Sequence, residues 1–126
     1  MKFQPETAVG VNIIGRHDHD RIVVGAQAFA HSLIVPWMGE VRRWDVDHFQ
    51  GLSALHFEQL VSLQPELVLL GSGLRQRLAP PVLVRALIER GIGFEAMDTA
   101  AACRTYNVLA SERRKVVAAL ILEIAA

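Results

Sequence analysis

Leu67-Val68-Leu69-Leu70-Gly71-Ser72-Gly73 is an unbroken apolar run opening onto a glycine turn, and its reading decides the fold. A short apolar run bounded by turn residues suits a strand buried on both faces. Downstream, Pro80-Pro81 starts a helix and Gly91 lies where that helix should stop. Val84, Leu87 and Ile88 then face the sheet, while Arg85, Glu89 and Arg90 face water. Phe94-Glu95-Ala96-Met97 returns as a second strand. It runs into Asp98-Thr99, which predicts an N-cap for a helix carrying Cys103, Arg104, Tyr106 and Asn107. A strand-helix-strand unit of this length crosses over right-handed and leaves its strands parallel. Gly71-Ser72-Gly73 and Asp98-Thr99 thereby become neighbours at the C-terminal edge of the sheet, where open α/β sheets bind ligands.

Upstream the pattern is different. Met1 to Gly10 is a polar entry containing Pro5, expected to be extended and partly mobile. Val11–Gly15 and Arg21–Gly25 are β-branched runs separated by Arg16-His17-Asp18-His19-Asp20, which reads as a hairpin with a polar loop of about five residues. Ser32–Val35, closed by Pro36, makes a third strand. Val41–Trp44 makes a fourth, with Trp44 inward and Arg42 outward. Strands in such quick succession should pair antiparallel as a β layer of their own. From Ser53 the period becomes helical: Leu55, Phe57, Leu60, Val61 and Leu63 suit one face of a helix ending before Gln64-Pro65, with Ser53 as N-cap and Glu58 too late for a capping box. Ser111–Lys115 reads as a turn. The tail from Val116 to Ala126 fits either a helix or a fully buried strand, because periodicity does not separate the two in an apolar run.

The totals bound the function classes. A chain of 126 residues is one domain, large enough to bury a core unaided. A hydrophobic fraction of 52% and a mean hydropathy of +0.28 argue against disorder. Thirteen basic residues balance 13 acidic ones, so net charge gives no support to nucleic acid or anionic lipid as partner and leaves self-association open. The single cysteine excludes an internal disulfide and fits a reducing compartment. No stretch reaches the roughly 18 apolar residues of a membrane span, and the first residues lack the features of a signal or transit peptide. A cytoplasmic, bacterial-style domain is expected.

The second half carries a resemblance. Gly71-Ser72-Gly73, Gly91-Ile92-Gly93-Phe94-Glu95, Met97-Asp98-Thr99, Ala102-Cys103-Arg104-Thr105-Tyr106-Asn107-Val108-Leu109 and Glu112-Arg113-Arg114 together resemble a small family of unknown molecular function (domain of unknown function 498/598). That family includes the mitochondrial respiratory complex I assembly factor 3. The likeness covers nearly the whole chain, and Asp98–Leu109 is its most specific part. It implies a layered α/β fold: a central mixed five-stranded sheet with the last strand antiparallel, helices on its faces, and a small N-terminal antiparallel β layer. It thereby implies a strand for Val116–Leu122. It implies no catalytic role, since the family has no established activity. Two residues depart from the pattern: Ser72 replaces a threonine, and Arg113 stands where a glycine usually follows the glutamate.

Three constellations are candidates for chemistry. Gly71 and Gly73 let backbone amides approach a ligand, Ser72 adds a hydroxyl, and the helix start at Asp98-Thr99 is a natural anion site that Arg104 could reach. The competing structural role is that the glycines make the turn and Arg104 braces Asp98. Walker A and G-x-G-x-x-G patterns are absent. Cys103 next to Arg104 could be a nucleophile, but no histidine lies near it in sequence, and a small buried cysteine packed on the sheet is the better reading. His17-Asp18-His19-Asp20 would need His48 with Asp45 or Asp47 to complete a metal site, so a solvated turn is expected. Trp37 and Met38 beside Pro36 read either as an exposed apolar patch for a protein contact or as core packing. Two functions follow. The first is a non-catalytic binding or assembly module with a protein partner, acting in respiratory-complex or membrane-protein biogenesis as the resemblance implies. The alternative is a small-molecule enzyme or anion sensor using Gly71–Gly73, Asp98, Thr99 and Arg104. Neither reading calls for a cofactor or metal.

Overall fold

Leu67–Gly71 and Gly93–Met97 pair in parallel, Leu67 beside Gly93 and Gly71 beside Met97, in a computed structural model that describes residues 10–123. The expected polar entry at residues 1–9 lies outside the described residues, as do residues 124–126. In chain order the strands are β1 (Ile14–Asp18), β2 (Arg21–Val24), β3 (Gln27–Phe29), β4 (Leu33–Pro36), β5 (Arg42–Arg43), β6 (Leu67–Gly71), β7 (Gly93–Met97) and β8 (Val116–Leu120). The helices are α1 (Ala54–Val61), α2 (Arg85–Glu89) and α3 (Thr99–Ser111), with 3-10 turns at Phe49–Gly51 and Pro81–Val84.

The fold is the expected layered α/β arrangement: a three-stranded antiparallel sheet, β1-β2-β3, beside a mixed five-stranded sheet ordered β5-β4-β8-β6-β7. Details of the assignment differ. β8 runs parallel to β6, and β4 is the strand against which β8 is antiparallel, so the last strand is not the antiparallel member. Ser32–Val35 and Val41–Trp44 do not join the small layer. They supply β4 and β5 of the large sheet, while Gln27–Phe29 completes the small one. The hairpin loop is also tighter than expected. Arg16, His17 and Asp18 pair with Val23, Ile22 and Arg21, leaving His19-Asp20 as the turn.

Every residue of β8 is buried, because the strand sits between β4 and β6 with both sheet faces covered. That position explains its continuous apolar sequence and why no period could identify it. One face packs against α3 and the small sheet, burying Ile14, Ile22, Cys103 and Tyr106 with Leu69, Ala118 and Leu120. The other packs against α1, α2 and Trp44, burying Phe57, Leu60 and Leu87 with Val68, Leu70, Val117 and Ala119. Strand β7 lies at the sheet margin and is only half covered, against the expectation of burial on both faces. Leu55, expected on the apolar face of its helix, is 67% exposed, and Ile88, expected to face the sheet, is 58% exposed.

Helix ends follow their local chemistry. Ser53 caps α1, and the reciprocal bond of a capping box comes from His56, whose Nδ1 accepts Ser53 N–H at 3.0 Å. Gly91, at φ +70°, ends α2 with Ile92 N–H reaching Leu87 O at 2.9 Å. α3 ends the same way but on Arg113, at φ +66°, with Arg113 N–H donating to Ala110 O and Arg114 N–H to Leu109 O. A side chain in this left-handed conformation costs about 1–2 kcal/mol, partly offset because glycine loses more freedom on folding. Arg113→Gly is therefore expected to stabilise the domain by about 0.5–1 kcal/mol in denaturant titrations. A lower midpoint would mean that the arginine side chain holds the turn.

Candidate functional site

Three parallel strands end together where Gly71 lies beside both Met97 and Leu120. The chain ends beyond them are laced to one another. Ser72 N–H donates to Met97 O at 2.8 Å, Thr99 N–H to Gly73 O at 2.9 Å, and Ile121 N–H to Gly71 O at 2.9 Å. Thr99 is the centre of this lacing. Its buried hydroxyl donates to Ile121 O at 2.6 Å and accepts Gly73 N–H at 2.9 Å. Asp98 caps α3 as expected, its Oδ1 accepting Ala101 N–H at 2.8 Å.

The glycine turn is where the sequence placed an anion, and a carboxylate of the chain itself occupies that environment. Glu123 Oε1 accepts Leu74 N–H at 3.2 Å and pairs with Arg77 Nη1 at 3.2 Å. Arg77 Nη1 also donates to Ser72 O at 2.8 Å. Ser72 Oγ lies 2.8 Å from Arg75 O and 3.1 Å from Met97 O as donor, and it accepts Arg77 N–H at 3.0 Å. Gly73 stands at φ +108°, and a Cβ there would run into the Glu123 carboxylate and come within 2.9 Å of Arg77 Nη1. The turn's donors are thus engaged within the protein.

Arg77 and Glu123 were not singled out from the sequence. Glu123 follows an apolar run and read as part of a tail, and Arg77 sits in an irregular stretch between Gly73 and Pro80. The available signal was a lone carboxylate directly beyond a buried strand, at the edge where β6 also ends. Burial pushes the Glu123 carboxyl up, but Leu74 N–H, the Arg77 hydrogen bond and charge, and Phe49 N–H together hold it below the ordinary 4.5. A lowered native value means the stabilisation is complete above 4.5 and disappears as pH falls through that native value. Glu123→Gln should therefore cost about 1–3 kcal/mol at neutral pH, with the difference from wild type closing in acid. A gap that does not change with pH would remove the carboxylate from this role.

Arg104 is exposed on α3 and forms no hydrogen bond or ion pair with Asp98, so the brace expected there is not made. Cys103 is fully buried, and burial pushes its thiol up to about 12 despite the opposing pull of Arg104. A thiol so held is neutral at physiological pH and packs as a small apolar group. The neighbouring residues of α3 are structural: Tyr106 OH reaches Asn12 O at 2.8 Å and Pro36 O at 3.0 Å. Asn107 accepts Ile14 N–H and donates to Ile14 O, acting as a strand partner where the β1–β2 register shifts. The most specific stretch of the sequence is therefore the one that docks α3 between the two sheets.

The hairpin tip closes over this edge. His17, Asp18 and His19 line a cavity of about 290 Å³ together with Gly73, Asp98 and Thr99. His48, Asp45 and Asp47 are not among its walls; Asp45 O instead meets His56 Nε2 at 2.9 Å near α1. Among the described residues no group of three or more His, Cys, Asp or Glu could hold a metal ion. No helix among them is long and apolar enough to cross a membrane. Trp37 is half-buried against both cores, leaving Met38, 49% exposed, as the open part of that patch.

Comparison with known proteins places this geometry in a family. A crystal structure of a Bordetella parapertussis protein superposes with a TM-score of 0.87 at 38% identity, covering 92% of this chain and 99% of that one. The bovine (Bos taurus) NADH dehydrogenase [ubiquinone] 1 alpha subcomplex assembly factor 3 is 32% identical over 121 residues, which span 94% of this chain but 65% of the bovine protein. A 13 kDa major membrane protein of Francisella tularensis subsp. holarctica is 28% identical over 117 residues, covering 92% of this chain and 95% of that protein. With residues 14–121 matching its pattern, the chain belongs to the family described as protein of unknown function (DUF498/DUF598).

Proposed function

We propose that this chain is a non-catalytic assembly module that works by binding another protein during the biogenesis of a respiratory or other membrane-bound complex. The observation that carries this reading is the use of the strand-end donors: Gly73, Leu74, Ser72, Thr99 and Arg77 are committed to protein acceptors. The buried Cys103 thiol adds no nucleophile. Relatives named as an assembly factor and as a membrane protein support the same direction. The test is deletion of the gene in its source organism, with assembled respiratory complexes measured on native gels. The expected result is a loss of assembled complex, restored by wild type and equally by Cys103→Ala. Normal assembly in the deletion strain, or failure of a folded Cys103→Ala protein, would contradict it.

A second reading is favoured by the cavity under the hairpin tip. There Gly73, Asp98 and Thr99, with His17 and Asp18, could receive a small molecule. Gly71 and Ser72 are not among its walls, and Arg104 would have to swing in from its exposed position on α3.

A further inference from the structure

The face of the large sheet covered by α1 and α2 carries a groove that the strand-end edge does not explain. It runs between α1 and the segment from Val82 to Arg90, with a volume of about 680 Å³. Val61, Val82 and Leu83 line it, and Val82 is 59% exposed.

The charges along its walls are unequal. The α1 wall offers Glu58 and no base, whereas the α2 wall offers Arg85 and Arg90 against Glu89. Among the described residues none of these four makes an ion pair within its own chain. An acidic wall and a basic wall flanking an apolar floor are complementary to each other rather than to themselves. A two-fold axis lying in the interface along the groove would set α1 of one copy over α2 of the other. Glu58 would then face the partner's α2 wall twice per dimer, which is the arrangement an isologous contact requires. The chain's zero net charge adds no long-range repulsion between copies.

We propose that this α1–α2 face is the surface through which two copies of the chain associate, with apolar contact at the centre and crossed Glu58–Arg85 and Glu58–Arg90 pairs at the sides. The proposal goes beyond the assembly reading, which requires a partner but not self-association. The occupant is a second copy because the two walls answer each other.

Sedimentation velocity from micromolar to hundreds of micromolar protein tests it. Wild type should show a concentration-dependent monomer–dimer equilibrium that weakens with added salt. The change Val82→Asp alters an exposed side chain of the groove and should give a folded monomer by circular dichroism. Glu58→Arg alone, and Arg85→Glu alone, should each weaken the dimer by about ten-fold or more. The double swap, Glu58→Arg with Arg85→Glu, should recover most of the loss, which a simple packing defect would not. A wild type that stays monomeric throughout overturns the proposal. So does a dimer indifferent to all of these changes, or a monomer whose α1–α2 face cross-links only to a different protein.

Discussion

Gly73→Ala is expected to lower the stability of the domain by about 3–4 kcal/mol, through backbone strain and through displacement of a half-buried ion pair. The backbone at Gly73 stands at φ +108°, where a side chain is strained whatever space surrounds it. The new methyl would also push the Glu123 carboxylate off Leu74 N–H and Arg77, leaving an arginine that is only 20% exposed without its counter-charge. Gly25 is the matched control: its φ is +60° and nothing lies within 4 Å of its would-be Cβ. Gly25→Ala should cost only the conformational part, about 1–2 kcal/mol. Equal losses at the two sites in urea titrations would show that the Glu123 contact contributes nothing.

The second large effect is expected at Thr99. Thr99→Val keeps the shape but removes the hydroxyl, so Gly73 N–H loses an acceptor and Ile121 C=O loses a donor in a buried position. Each group left unsatisfied costs about 1–3 kcal/mol, so a total of about 2–6 kcal/mol is expected. Thr99→Ser retains both bonds and should lose only about 1 kcal/mol from the missing methyl. If valine and serine behave alike, the hydroxyl is not joining the strand ends. Asp98, three residues before Ala101, was the more visible candidate from sequence because capping residues announce themselves at a strand–helix junction. Thr99 hides behind it, since nothing in a local pattern reveals that its hydroxyl bridges two segments 22 and 26 residues away.

That contrast describes how much of the molecule could be read in advance. β6, β7, the Asp98 cap and the Gly91 stop follow from local rules, and all stand where those rules put them. The strand partners of Ser32–Val35 did not follow from local rules. Its apolar run fits either sheet, and only the docking of β8 against it decides the matter. Gln27–Phe29 carries a weak strand signal, one phenylalanine beside glutamine and alanine, yet pairing with β2 orders it. The polar junction was half legible. The topology argument brought Gly71–Gly73 and Asp98-Thr99 to one edge, and they meet there. Spacing along the helix brings Arg104 toward the turn, but its position on α3 turns outward and the guanidinium that reaches the glycine turn is that of Arg77. Glu123 carried no motif at all. An internal carboxylate filling an anion-shaped turn is invisible until the strand ends are aligned.

In the proposed assembly module the strand-end donors are held by the protein's own acceptors and take no anion, and ligand-dependent thermal unfolding measures this directly. Wild type should be melted alone and against a panel of phosphates, nucleotides and small carboxylates at constant ionic strength. The account predicts no saturable shift with any of them, because Glu123 already holds the Leu74 amide and Arg77. An anion held at about a hundred times its dissociation constant would stabilise the native state by about 2.7 kcal/mol, a shift easily resolved in a domain of this size. A saturable shift of that order, lost in Arg77→Ala or enhanced in Glu123→Gln, would contradict the account and establish the edge as a ligand site.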